Sequence, residues 1–152
     1  MEIMLALTLP RDELTVPLAR HVVRTAMERV GVEPACVDDV VLALSEACTN
    51  VLLHAGVADE YDVRFHLEGQ RCRIRVVDVG HGFDSAALRR HGTQPEAERG
   101  RGLTLMRALV DQVRFTSRPE LGTVVTMEKQ LEFADPALLG GGTGASGARK
   151  QV

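Results

Sequence analysis

Residues 44–50 read Leu44-Ser45-Glu46-Ala47-Cys48-Thr49-Asn50, and residues 75–83 read Arg75-Val76-Val77-Asp78-Val79-Gly80-His81-Gly82-Phe83. The first stretch lies in a helical pattern. At ~100° per residue, Val37, Val40, Val41, Leu44, Cys48 and Val51 share one broad apolar face, and Glu46, Asn50 and His54 form a separate stripe. The second stretch is an apolar strand that ends on an aspartate and passes directly into Gly-x-Gly. A helix followed by strands, with acids and an amide at their ends, sets the fold to be read on either side.

Upstream, Ile3, Leu5, Leu7 and Leu9 alternate at period two and predict a strand over residues 2–9. Thr15 then stands as an N-cap with Pro17 just inside a helix. Leu18, Val22, Ala26, Met27 and Val30 continue that helix to Gly31, and the second helix opens around Pro34 and closes at Gly56. Downstream, strands are predicted near 60–68 and 71–79, joined by a Glu68-Gly69-Gln70 turn. From Gly80 to Gly102 no period is sustained, which predicts a long functional loop. Leu103, Met106, Leu109 and Val110 mark a third helix. Strands near 113–118 and 122–131 follow, with a Pro119-to-Gly122 turn between them. This order predicts a two-layer α/β sandwich over residues 1–133, with helices on one face of a mixed, mostly antiparallel sheet. Residues 134–152 read as a flexible Gly-rich tail.

Composition narrows the function. The chain has 152 residues, enough for one domain with a real core. Sixteen of its 18 basic residues are Arg, and neither Lys129 nor Lys150 follows a glycine, so no Walker-type phosphate loop is present. A net charge of -3 with few aromatic residues and no Trp argues against binding nucleic acid directly. Cys36, Cys48 and Cys72 have no metal-ligand spacing and read as small apolar residues in a reducing compartment. Neither a membrane-spanning run nor a signal-type N-terminus is evident, so the expected location is cytoplasmic.

Three pieces could carry chemistry. Glu46 and Asn50, one helical turn apart, could share a pocket as a general base and a hard ligand for Mg²⁺, or could simply face solvent. Asp78 at a strand end could accept a hydrogen bond from an exocyclic base amine, or cap a turn. Gly100-Arg101-Gly102-Leu103 opening a helix could cradle phosphate with backbone N–H groups and a guanidinium, or could be an ordinary helix entry.

Taken in order, Glu-x-x-x-Asn on a helix, Asp-x-Gly-x-Gly at a strand end, a loop, and Gly-x-Gly-Leu-x-Leu entering a helix resemble the GHKL-type (Bergerat-fold) ATPases. The resemblance spans about residues 1–131. Within that superfamily, residues 44–50 look most like those of the bacterial anti-sigma-factor serine kinases. No dimerisation helix pair, phospho-acceptor segment or transducer domain accompanies the module, which points away from a complete histidine kinase or topoisomerase.

The resemblance implies ATP and Mg²⁺ as cofactors, Glu46 as catalytic base and Asn50 as the Mg²⁺ ligand. It also implies Asp78 on the adenine amine, Gly80 and Gly82 shaping the adenine pocket, and Gly100, Arg101, Gly102 and Leu103 closing on the phosphates. Thr123 would lie near the adenine, and Asp84 to Arg99 would form the lid. The implied function is transfer of the γ-phosphoryl of ATP to a Ser or Thr of a small anti-sigma antagonist, regulating transcription by partner switching with a sigma factor. Homodimers are also implied. The alternatives are a non-catalytic ATP-binding module that sequesters a protein partner, and hydrolysis with water as acceptor.

Overall fold

Period-two alternation builds the sheet. In the computed structural model, which describes residues 1–54, 59–78, 94–118 and 122–134, the elements are β1 (Glu2–Pro10), α1 (Thr15–Arg29), α2 (Pro34–His54), β2 (Glu60–Glu68), β3 (Arg71–Val77), α3 (Gln94–Leu109), β4 (Gln112–Arg118) and β5 (Gly122–Gln130). The strands form one five-stranded sheet in the order β1-β2-β3-β5-β4. All of its pairings are antiparallel, so no parallel pair enters the expected mixed sheet.

Tyr61, Val63, Phe65 and Leu67 on β2, Cys72, Ile74 and Val76 on β3, and Val125 and Met127 on β5 are all buried. They alternate with outward polar residues, so the three helices cover one face and leave the other to solvent. Helix α2 is the centre of the core. Val37, Val40, Val41, Ala43, Leu44, Ala47, Cys48 and Val51 are buried along it, between α1, α3, β3 and β5. Cys48 and Cys72 are buried free thiols and Cys36 is half-buried, as small apolar residues would be.

The end of α1 follows its sequence. Gly31, at φ +83°, lets its N–H reach the Glu28 carbonyl at 3.1 Å while Val32 N–H reaches that of Met27 at 3.1 Å, a Schellman closure. The start of α1 differs from expectation. Leu14 is the N-cap and Thr15 is already helical. Thr15 Oγ1 lies 2.6 Å from the Asp12 carbonyl and 2.6 Å from Tyr61 Oη, while Asp12 Oδ1 accepts the Leu14 N–H at 2.9 Å. The aspartate turn satisfies the helix entry, which leaves the threonine hydroxyl to a tertiary partner.

Helix α3 corrects a second expectation. It starts at Gln94, so Gly100 and Gly102 lie inside it and residues 94–99, read as the end of a lid, are its first turns. Pro95 fits a first turn because its missing N–H is not needed there, and Glu96, Ala97, Glu98 and Arg99 are good helix formers. The glycines, each costing ~1 kcal/mol in a helix, masked this run in the sequence. The rest of the expected lid, residues 84–93, lies outside the described residues, as do Gly56 and the Gly-rich tail from residue 135.

Candidate functional site

Among the described residues the buried polar or charged side chains are Asn50, Asp78 and Thr123, at 7%, 3% and 1% exposure. All three come from the sequence reading, and each sits at the end of a different element. Asn50 is in the penultimate turn of α2, Asp78 directly follows β3, and Thr123 is the second residue of β5. The Asp78 N–H donates to the Thr123 carbonyl at 2.9 Å, so strand pairing brings together two residues 45 apart in the chain. Gly122, at φ +80°, starts β5 in the left-handed region, where a side chain would be strained.

Two atoms of this set have no hydrogen-bond partner: Asn50 Nδ2 and Thr123 Oγ1. Leaving a buried polar atom unpaired costs roughly 1–3 kcal/mol. Native interiors pair most such atoms, with protein groups, ordered water or a bound ligand. Glu46, one turn before Asn50, is half-buried. A Cβ built on Gly102 would lie 3.5 Å from Glu46 Oε2, so packing of α3 on α2 sets the glycine against the carboxylate. Two separate pieces of the sequence pattern therefore meet.

The expected helix N-terminus at Gly100–Leu103 is not present, because α3 passes through those residues. Leu103 is partly buried against the core. The side chain of Arg101 lies outside the described residues, as do those of His54 and Arg99 and all of Gly80 and Gly82.

One contributor was missed. Arg11, just after β1, donates through Nη2 to the carbonyls of Val51 at 3.1 Å and Leu52 at 2.9 Å. It binds carbonyls of the final turn of α2, immediately past Asn50, where positive charge favours the helix end. The contact joins residues 40 positions apart, and no periodicity signals it.

Around the neighbouring core, burial pushes the Cys48 thiol up from an ordinary 9.0 to about 12, against a smaller opposing effect of its hydrogen bond with Tyr61. The Tyr61 phenol is likewise raised, mainly by burial, to about 12.

The fold combines an all-antiparallel sheet, one helical layer, and the buried polar residues Asn50 and Asp78 near the ends of α2 and β3. The family model of the histidine kinase-like ATPase domain matches residues 9–129, and the chain belongs to that family, within its serine-protein kinase branch. It is similar to the serine-protein kinase RsbW of Halalkalibacterium halodurans, 33% identical over 135 residues, covering 83% of this chain and 82% of that one. Similarity to RsbW of Bacillus subtilis is 31% over 133 residues, covering 80% and 82%. The anti-sigma F factor of Pasteuria penetrans is 37% identical over 102 residues, covering 62% and 68%. Among solved structures, the RsbU and RsbW domains of Rv1364c from Mycobacterium tuberculosis share the fold at TM-score 0.66 and 22% identity, over 85% of this chain and 32% of that one. No helix among the described residues is long and apolar enough to cross a membrane.

Proposed function

We propose that this chain is an ATP-dependent protein serine/threonine kinase of anti-sigma type, transferring the γ-phosphoryl of ATP to a hydroxyl of a small antagonist protein. The observation that carries the reading is the buried set Asn50, Asp78 and Thr123, two of whose polar atoms lack a partner. Kinship with serine-protein kinases over most of the chain supports this reading.

In this reading Asp78 accepts the adenine amine and Thr123 Oγ1 lies beside it. Gly80 and Gly82 shape the rest of the adenine pocket, and Gly100, Arg101, Gly102 and Leu103 lie along the phosphates. The contact of Gly102 with Glu46 supports this placement of the glycine box.

The donor set fits Mg²⁺. The Asn50 amide supplies one hard oxygen, and a cation that keeps most of its waters needs only one or two protein ligands, with phosphate oxygens supplying others. Among the described residues no group of three or more His, Cys, Asp or Glu could hold a metal ion. When bound, the ion neutralises phosphate charge. Asn50 would hold it through its amide oxygen, and Glu46 would take the proton from the acceptor hydroxyl. The bond from phosphorus to the acceptor oxygen forms as the bond to the ADP oxygen breaks.

The partners proposed are the antagonist as acceptor and a sigma factor as the protein held inactive, with the kinase acting as a homodimer. Residues 1–133 form the kinase domain and residues 134–152 a tail. Incubation with γ-labelled ATP, Mg²⁺ and the cognate antagonist should label a Ser or Thr. ATP binding without any transfer would contradict the kinase reading and favour a module that only sequesters its partner.

A further inference from the structure

The solvent face of the sheet carries a charge pattern that the phosphoryl chemistry does not use. Its rows are given by the pairing register. Arg64 on β2 stands across from Arg75 on β3, Arg75 across from Thr126 on β5, and Thr126 across from Arg114 on β4. One row thus sets three exposed guanidinium groups over four strands.

In the neighbouring rows the polar side chains are partnered, Arg73 by a carboxylate. Arg73 is held by Glu128 at 2.7 Å, His66 meets Glu2 at 2.8 Å, and Thr8 donates to Asp62 at 2.9 Å. Among the described residues Arg64, Arg75 and Arg114 take part in no ion pair. Like charges placed directly opposite on adjacent strands destabilise a sheet, so the Arg64–Arg75 pair is a cost to the free protein. Arg73, Arg75, Gln112, Arg114, Thr126 and Glu128 line an open depression that holds two of the three arginines.

We infer that this arginine row is a docking surface for an acidic, extended segment of a protein partner, on the side of the sheet opposite the helices. Charge complementarity selects the occupant. Guanidinium forks match carboxylates in two-point hydrogen bonds. Adjacent strands lie ~4.8 Å apart, so Arg64 and Arg75 stand one spacing apart and Arg75 and Arg114 two, within reach of carboxylates on alternate residues of an extended chain. A continuous phosphate backbone fits less well. Glu2, Asp62, Glu68 and Glu128 flank the row on the same face, and a backbone charged at every unit would run over them, whereas a short segment can confine its carboxylates to the arginines. The described aromatic side chains Tyr61, Phe65 and Phe133 are buried and Phe115 is half-buried, so none offers a stacking platform on this face.

The test is fluorescence anisotropy of a labelled peptide of alternating glutamate and serine, titrated with the full-length protein and with the Arg64→Ser/Arg75→Ser/Arg114→Ser variant. Saturable binding that weakens as salt rises and is at least ~10-fold weaker in the variant is expected. Binding of a fluorescent ATP analogue should be equal in the two proteins. Equal peptide affinity in both proteins, or tighter binding of a single-stranded oligonucleotide than of the peptide, would overturn the inference. So would a parallel loss of ATP-analogue binding, which would mean the changes disturb the fold. As a second readout, Arg64→Gln should raise the melting temperature of the free protein, and a lower one would contradict the like-charge cost.

Discussion

Two buried polar groupings lie on α2 two residues apart, and they are treated in opposite ways. Beside the buried Cys48 thiol, Tyr61 Oη lies 2.6 Å from Thr15 Oγ1, a hydrogen bond that ties β2 to the start of α1 under α2. In the open set, Asn50 Nδ2 near the end of α2 and Thr123 Oγ1 at the start of β5 are each buried without a hydrogen-bond partner. A buried polar group is stabilising only when its partners are present. The closed grouping is scaffold, complete in the folded chain. The open one holds the residues that the proposed kinase reading assigns to nucleotide. Changes to the open grouping should therefore alter chemistry and spare stability, and changes to the closed one should do the reverse.

The largest effect is expected at Glu46, which borders the open grouping. Glu46→Gln keeps the shape and removes the base, so phosphoryl transfer to the antagonist should fall by roughly 10²–10⁴-fold. ATP affinity should change little, as read by single-turnover transfer beside nucleotide titration. On the closed side, Tyr61→Phe deletes the hydroxyl that bonds Thr15. Denaturant unfolding should show a loss of about 1 kcal/mol, while ATP affinity stays the same. A fall in affinity with no change in stability would reverse the assignment of the two groupings.

The closed side also predicts a pH response. Folding raises the Cys48 thiol from 9.0 and the Tyr61 phenol from 10.0, both to about 12. The folded state thus holds protons that the unfolded chain releases first. This contribution to stability is complete below pH ~9 and is lost as pH rises toward ~12. Melting temperature should fall over that range, and less steeply in Cys48→Ala. The smallest effect is expected at Thr123→Val, which removes an unpaired hydroxyl from a buried site. The free protein should be as stable or slightly more so, with ATP affinity lowered only a few-fold.

Most of this arrangement is legible in the chain because it is written in local periods. The alternation in β2 and β3 and the stripe of Glu46 and Asn50 on α2 require only the repeat of each element. Asp78 is recognisable because a strand ends on it. What the sequence hides is non-local or masked. Arg11 reaches α2 from 40 residues away. Thr15 has the residue type of a cap, yet its hydroxyl is taken up by Tyr61, which no local pattern connects to it. The start of α3 at Gln94 is hidden by Gly100 and Gly102, whose low helix propensity reads as loop until packing against Glu46 is known. The solvent-face arginines alternate as any exposed strand would, and their alignment into a row depends on register across four strands.

The central claim is that the unpaired grouping is a nucleotide site and not a packing defect. Calorimetric titration of MgATP into the wild-type protein and into Asn50→Ala, with the melting temperature of each free protein, tests it most directly. The account predicts saturable binding to the wild type, at least ~10-fold weaker binding to the variant, and a melting temperature that does not fall when the unpaired amide is removed. Equal MgATP affinity in the two proteins, or a variant that mainly loses stability, would contradict it.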